Sequence, residues 1–142
     1  MPLRNAEARW EGTSREGRGT FKLGSGVFQG PYTWNARFAD EPGTNPEELV
    51  AAAHASCFSM ALASALTKAG FPPQEIHTTA QVHFNKVGDG FKITEIHLDT
   101  EGKVPNLSAD QFQQYAESAK KTCPISQALA AVETISLTAK LI

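Results

Sequence analysis

The two cysteines are the residues of this chain with the clearest capacity for chemistry. Cys57 lies in the apolar segment Ala53-His-Ala-Ser-Cys-Phe58, and Cys123 directly precedes Pro124. Free cysteine is among the most buried residue types, so packing alone would explain Cys57. Cys123 falls where one predicted helix ends and another begins, and backbone N–H groups at a helix start stabilise a thiolate. Taken by themselves, the residues favour Cys123 as the more acidic thiol.

Histidine adds two further kinds of site. His54 precedes Cys57 by three residues, which on a helix places both side chains on one side and permits a thiol–imidazole nucleophile. A metal site requires more ligands, and the remaining histidines, His77, His83 and His97, fall in a predicted hairpin, where solvated histidines are common. The chain has no CxxC pair of the kind that binds structural zinc. The pattern therefore argues against a metal site, and it leaves a thiol–imidazole nucleophile open although the spacing suggests no Asn or Asp to orient the imidazole.

Composition argues against several classes of protein. The 142 residues, 41% of them hydrophobic, fit one domain, 1–142, with a single core. Thirteen Lys and Arg against fifteen Asp and Glu give a formal net charge of −2, which is not the surface of a protein that binds nucleic acid or anionic membranes. The apolar run 49–67 is rich in alanine and contains His54, which favours a buried helix over a membrane span. The first ten residues carry charges where an export signal would be apolar, so we expect a cytoplasmic protein.

The elements that must position these residues begin with short strands over 3–38. Apolar and polar residues alternate there between glycines, which predicts a meander whose clearest strand is 32–38. A long helix is predicted over 45–69, because Asn45 can cap its start and Gly70 its end. This helix is apolar on every side and rich in small residues, so we expect it to be buried all round, against a second copy of itself.

The second half of the chain predicts a hairpin, two helices and a closing strand. The hairpin covers 76–98, with a bulge near Thr94, where the apolar phase shifts. Helices follow over 108–130, the first of them capped by Ser108, and a strand closes the chain over 133–142. The predicted fold class is α+β, with antiparallel sheets wrapped around long central helices in an intertwined homodimer.

Three blocks of the sequence resemble one known family. They are Gly43-Thr-Asn-Pro-Glu-Glu-Leu49, Ala51-Ala-Ala-His-Ala-Ser-Cys-Phe58 and Thr122-Cys-Pro-Ile-Ser126, and they are similar to the hallmarks of the OsmC/Ohr family, the osmotically inducible and organic hydroperoxide resistance proteins. Two features make the chain more similar to the OsmC branch. One is Trp10-Glu-Gly12, and the other is His54, at a position where the hydroperoxide resistance branch usually has tyrosine. The resemblance extends over essentially the whole chain, in order.

The resemblance implies an OsmC-like fold and a thiol-dependent peroxidase. Such an enzyme reduces organic hydroperoxides, and hydrogen peroxide more slowly, without haem, flavin or metal, in defence against oxidative or osmotic stress. By this resemblance Cys57 is the peroxidatic cysteine and Cys123 the resolving one, and the two form a disulfide during turnover. That assignment overrides the preference for Cys123 reached from the residues alone. An external dithiol, of the lipoyl or thioredoxin type, restores the enzyme.

The resemblance also implies a glutamate and an arginine at the site. Glu47 matches the family's glutamate, and Arg37, in Asn35-Ala-Arg-Phe38, matches the arginine of the OsmC branch. In the other branch the arginine lies in a GGRxG-like segment closer to Arg15, so both positions stay open, with Arg37 preferred. An arginine favours the thiolate and donates to the peroxide oxygens, while a carboxylate holds its planar fork. Without the resemblance, Arg37 and Glu47 would be interpreted as ordinary surface charges.

Helix geometry extends the dimer prediction to the active site. Ten residues separate Glu47 from Cys57, which on one continuous helix is about 15 Å along the axis and about 280° around it. One arginine would bridge that gap poorly, whereas a second, oppositely running helix would bring its Glu47 and Arg37 over the first chain's Cys57. We therefore expect an obligate homodimer with shared active sites.

Two other functions compete with the peroxidase. A non-catalytic dimer that binds lipids or other small hydrophobic ligands would carry both thiols only as structural residues. A redox-sensing dimer would form the same disulfide without multiple turnover. Oxidation of Cys57 by one equivalent of organic hydroperoxide, followed by a turnover assay with a dithiol, separates the three.

Overall fold

The computed structural model describes residues 2–142. The chain divides into two compact units, one ending at Leu49 and the other beginning at Val50. Each unit has its own sheet. The prediction of one domain over 1–142 stays a prediction.

The first unit is built on a three-stranded antiparallel sheet. Its strands are β1 (Ala6–Glu11), β2 (Arg18–Leu23) and β3 (Gln29–Tyr32), in the spatial order β1-β2-β3. The predicted meander is confirmed. Phe21 of β2 is buried and stacks on Phe28, with 5.8 Å between the ring centroids, so the sheet has a small aromatic cluster of its own.

The predicted strand over 32–38 is wrong. The chain leaves β3 at Tyr32 and forms a short helix, α1 (Trp34–Phe38). Thr33 caps this helix, because its hydroxyl accepts a hydrogen bond from the N–H of Ala36 at 3.0 Å. Large and small side chains alternate in this segment, but so short a run does not separate a period of two from a period of 3.6. The threonine cap decides the conformation.

The long helix, α2 (Pro46–Lys68), confirms the prediction over 45–69. Oδ1 of Asn45 accepts a hydrogen bond from the N–H of Glu48 at 2.8 Å, which caps the start. Gly70 ends the helix with a φ of 90°, a left-handed conformation that costs other residues more than glycine. By length and composition alone, α2 could also cross a membrane.

Within the second unit, α2 buries one stripe of side chains at four-residue spacing: His54, Phe58, Leu62 and Leu66. The last three belong to the hydrophobic core of that unit. Met60 lies off the stripe and is 74% exposed. A single chain therefore covers one face of this helix, and its burial all round stays a prediction.

The sheet of the second unit consists of a long hairpin and a closing strand. The hairpin, β4 (Glu75–Val87) and β5 (Gly90–Lys103), is confirmed and is longer than predicted. Its register shifts at the pair His83/Phe84, opposite Thr94, which confirms the bulge. The closing strand, β6 (Thr134–Leu141), pairs with β5 in parallel, so the prediction of purely antiparallel sheets is wrong here. The reason is that helices carry the chain back to the start of β5, which makes a crossover connection.

The two helices of that crossover are α3 (Ala109–Thr122) and α4 (Pro124–Ala128). The predicted cap of α3 is confirmed as a complete capping box between Ser108 and Gln111. Phe112 of α3 is buried in the same core as the stripe of α2. One non-helical residue, Cys123, separates the two helices.

Candidate active site

The two cysteines meet in the second unit. Cys57 lies on α2 and is partly exposed, whereas Cys123 lies between α3 and α4 and is completely buried. Both are free thiols, and a hydrogen bond joins them. Tertiary folding has thus brought into contact two sulfurs that are far apart in the sequence.

Proline determines where Cys123 sits. A residue before proline resists the helical conformation, and Cys123 accordingly has a φ of −56° and a ψ of 120°, which ends α3. Pro124 begins α4 immediately afterwards. The backbone N–H groups of Ile125 and Ser126, in the first turn of α4, hydrogen-bond to the cysteine sulfurs. These are helix-start donors that would otherwise lack a partner.

The two thiols differ in acidity. Burial raises the pKa of Cys57 above its ordinary value; the hydrogen bond from the Ile125 N–H opposes this, and the neighbouring Cys123 adds to it. Burial also raises the pKa of Cys123, but four hydrogen bonds together outweigh it; they come from the Ser126 N–H, the Cys57 thiol, the Ser126 hydroxyl and the Ile125 N–H. The net pKa of Cys123 is therefore below its ordinary value. Cys123 is thus the more acidic of the two thiols, as the residues alone indicated.

The predicted arginine and glutamate form an ion pair in the first unit. Nε of Arg37 donates to both carboxylate oxygens of Glu47, at 3.0 and 3.2 Å, and Nη2 donates to Oε1 at 2.7 Å. The Glu47 side chain is 11% exposed and that of Arg37 is 37% exposed. Asn45, which caps α2, also donates its amide to the carbonyl of Ala36 at 2.9 Å and so ties α1 to the start of α2. The guanidinium is thereby fixed in one plane with part of its surface open.

Arg15, the alternative arginine, has a different partner. Its guanidinium carbon lies 5.6 Å from the ring centroid of Trp34, within the range of a cation–π contact. Glu47 is paired with Arg37 instead. Of the two arginines, Arg37 is the one paired with Glu47, and its role at the site stays a prediction.

Sequence reasoning missed one contact of the site. Nε2 of His54 lies 2.6 Å from Oγ of Ser126, and both residues are buried. The sequence indicates that His54 neighbours Cys57 and that Ser126 belongs to the block 122–126, but it does not pair the two residues with each other. Each lies three residues from a cysteine, and this shared helical spacing is the clue that could have linked them.

Comparison with known proteins identifies the family. A family model described as OsmC-like protein matches residues 39–138. Peroxiredoxin OsmC of Escherichia coli strain K12 is 50% identical over 133 residues, which make up 93% of each chain. The match therefore extends over nearly the full length of both chains.

Solved structures show the same fold. The organic hydroperoxide resistance protein OhrB of Bacillus subtilis is 26% identical, with a TM-score of 0.68 over 97% of this chain and 98% of that one. An OsmC-like protein from Mycoplasma pneumoniae, at 16% identity, matches with a TM-score of 0.78 over 99% and 98% of the two chains. The chain therefore belongs to the OsmC-like protein family and is a thiol-dependent peroxidase.

Proposed function

We propose that this protein reduces organic hydroperoxides, with Cys57 as the peroxidatic cysteine and Cys123 as the resolving one. The observation that carries the proposal is the contact between two thiols of unequal exposure. A hydroperoxide must reach the sulfur that it oxidises. Access therefore assigns the first attack to the partly exposed Cys57, although Cys123 is the more acidic thiol.

The proposed cycle has three steps. The Cys57 thiolate attacks the outer peroxide oxygen; an S–O bond forms, the O–O bond breaks, and the departing alkoxide takes a proton to become an alcohol. Cys123 then attacks the sulfenic acid; an S–S bond forms and hydroxide leaves and is protonated to water. Finally, an external dithiol of the lipoyl or thioredoxin type reduces the disulfide and is itself oxidised.

The first step needs a cation beside Cys57, because burial holds the pKa of this thiol above its usual value. Among residues 2–142 of one chain, the groups that shift this pKa are the Ile125 N–H and Cys123, and neither is a cation. We assign the role to Arg37. Its guanidinium, held by Glu47, would favour the thiolate and donate to the peroxide oxygens.

We further propose that this arginine comes from a second copy of the chain, in a homodimer with shared active sites. The support is α2, which is apolar on every side for most of its length yet leaves Met60 74% exposed. Its many small residues would allow a second helix to approach closely, and its burial would remove the exposed apolar surface from water. Two free thiols also fit the reducing cytoplasm, where we place the protein.

Turnover with cumene hydroperoxide tests the function, with dihydrolipoamide and reduced thioredoxin compared as electron donors. Cys57→Ser should abolish turnover. Cys123→Ser should consume about one equivalent to give the Cys57 sulfenic acid and, with excess hydroperoxide, a second equivalent to give the sulfinic acid, detected by mass spectrometry. Ser56→Ala, which removes an exposed hydroxyl beside Cys57, is the matched control and should retain full activity.

Three results would contradict the proposal. Undiminished activity in both cysteine variants would remove the thiols from the mechanism. Failure of one equivalent of hydroperoxide to oxidise Cys57 would favour a non-catalytic dimer that binds hydrophobic ligands. Disulfide formation without repeated turnover, with either dithiol, would favour a redox sensor.

A further inference from the structure

A buried histidine and a buried serine are paired with each other, and the serine contacts one of the two thiols. His54 is 0% exposed and Ser126 is 7% exposed, and Nε2 of the histidine lies 2.6 Å from Oγ of the serine. The serine hydroxyl also hydrogen-bonds to Cys123, which in turn contacts Cys57. These contacts form a continuous path from the imidazole to the reacting sulfurs, entirely within the second unit.

Two identical spacings create this path. His54 and Cys57 lie three residues apart on α2, and Cys123 and Ser126 lie three apart across the first turn of α4. Side chains at this spacing share one face of a helix. Each element therefore presents one sulfur and one partner of the histidine–serine hydrogen bond.

The unpaired Nδ1 of His54 indicates which groups donate and which accept along this path. Among the described residues 2–142, Nδ1 is the buried side-chain nitrogen or oxygen without a hydrogen-bond partner. Burial lowers the pKa of His54, so the ring is neutral near pH 7 and carries one N–H. A hydrogen on Nδ1 would leave a buried donor unpaired, which folded proteins rarely tolerate. We assign the hydrogen to Nε2, which donates to the Ser126 oxygen.

This tautomer determines what the serine does. Its oxygen accepts from the histidine, so the serine hydrogen is directed to the other contact of the hydroxyl, the Cys123 sulfur. A thiolate can only accept hydrogen bonds, and a donor that is itself polarised by a second donor binds it more strongly. The arrangement thus selects the charged form of Cys123.

We propose that His54 is a positioning residue that, through Ser126, holds a hydrogen-bond donor on Cys123 and so prepares it to attack oxidised Cys57 as a thiolate. This inference rests on the proposed peroxidase cycle and concerns its second step. In that step Cys123 supplies the electron pair of the new S–S bond, the S–O bond of the Cys57 sulfenic acid breaks, and the hydroxide that leaves takes a proton from solvent to become water. No other oxidant or reductant is required.

The consequence is protection of Cys57. A sulfenic acid that is not resolved reacts with a second hydroperoxide to give sulfinic acid, which an external thiol does not reverse. A preformed Cys123 thiolate shortens the lifetime of the sulfenic acid. The histidine–serine pair should therefore speed resolution and limit overoxidation. Because charged Cys123 raises the pKa of Cys57, loss of the pair should not slow the first oxidation of Cys57.

Ser126→Ala tests whether the histidine–serine pair promotes resolution and not the first oxidation of Cys57. In single-turnover kinetics, disulfide formation should slow by about tenfold, while sulfenic acid formation should not slow. Overoxidised Cys57 should accumulate at lower hydroperoxide concentrations. Ser126→Thr keeps the hydroxyl and should restore resolution, and Ser56→Ala is the control without effect. Equal slowing of both steps, or no slowing of resolution, would overturn the proposal.

A second measurement requires neither turnover nor a change to the histidine. In Cys57→Ser protein, Cys123 is the only cysteine, so thiolate absorbance reports its titration alone. Its pKa should rise on Ser126→Ala. Nitrogen chemical shifts of His54 in the same protein should show the Nε2–H tautomer, and an Nδ1–H tautomer would refute the assignment.

The outcomes separate this inference from the proposed function. An unshifted Cys123 titration in an enzyme that turns over would reject only the role of His54 and Ser126. A shifted titration in a protein that never consumes hydroperoxide would instead reject the peroxidase cycle. His54→Leu should reproduce the Ser126→Ala kinetics, and His54→Gln, whose amide can donate, should retain resolution.

Discussion

Arg37→Ala gives the most informative perturbation of the proposed site. Arg37 donates three hydrogen bonds to Glu47 at 2.7 to 3.2 Å, so its guanidinium is already oriented before a hydroperoxide binds. Loss of a charge-assisted donor beside a thiolate costs about 1.5–3 kcal/mol. At about 1.4 kcal/mol per factor of ten, oxidation of Cys57 should slow on the order of 10- to 100-fold. Stopped-flow kinetics with one equivalent of cumene hydroperoxide measures the change.

The same variant tests whether active sites are shared between chains. Cys57→Ser and Arg37→Ala should each be inactive or nearly so as homodimers. Unfolded together in equal amounts and refolded, they should give about half heterodimers, each with one intact site of two. The mixture should therefore regain about a quarter of the wild-type activity, and heterodimers purified through two different tags about half.

The refuting result follows from the alternative geometry. If Cys57 were served by Arg37 of its own chain, every site in the heterodimer would lack one residue, and confirmed heterodimers would stay at the activity of the parent variants. Native mass spectrometry supplies the confirmation. A protein that is monomeric and fully active in solution would also end the shared-site proposal.

Three further outcomes are expected. Arg15→Ala should slow Cys57 oxidation by less than about threefold, and Arg37→Lys should fail to restore it, because the bidentate fork is lost; a larger loss for Arg15 would move the role there. In Arg37→Ala, the raised pKa of Cys57 leaves little thiolate near neutrality, so its oxidation rate should rise about tenfold per pH unit until the thiol ionises; a flat pH–rate profile would contradict this. Asn45→Ala should lower the free energy of unfolding by about 1 kcal/mol in urea titrations, because it removes the cap of α2, whereas Asn45→Asp keeps the cap; equal loss in both would assign the effect to the amide contact with α1 instead.

Local chemistry made much of the fold predictable. The ends of α2 follow from Asn45 and Gly70, and the start of α3 from Ser108 and Gln111, because caps depend on residues within one turn of the helix. The bulge opposite Thr94 was visible as a shift in apolar phase within one strand. Each of these features is decided by residues close together in the chain.

The errors arose where the pattern was short or the partner distant. Residues 32–38 alternate like a strand, yet the hydroxyl of Thr33 caps a helix there. The parallel pairing of β6 with β5 depends on where two helices return the chain, which no property of either strand indicates.

The sequence by itself determined the family, the long helix and the candidates for the reactive residues, since motifs and caps are short-range properties. Only the tertiary structure decided that Cys57 is open while Cys123 is buried, and that His54 lies against Ser126. Exposure and acidity depend on which distant segments pack around a group, because desolvation and hydrogen bonding act through space and not along the chain. The residues alone indicated that Cys123 is the more acidic thiol, but only the folded structure shows that this thiol is buried while the less acidic Cys57 is partly exposed.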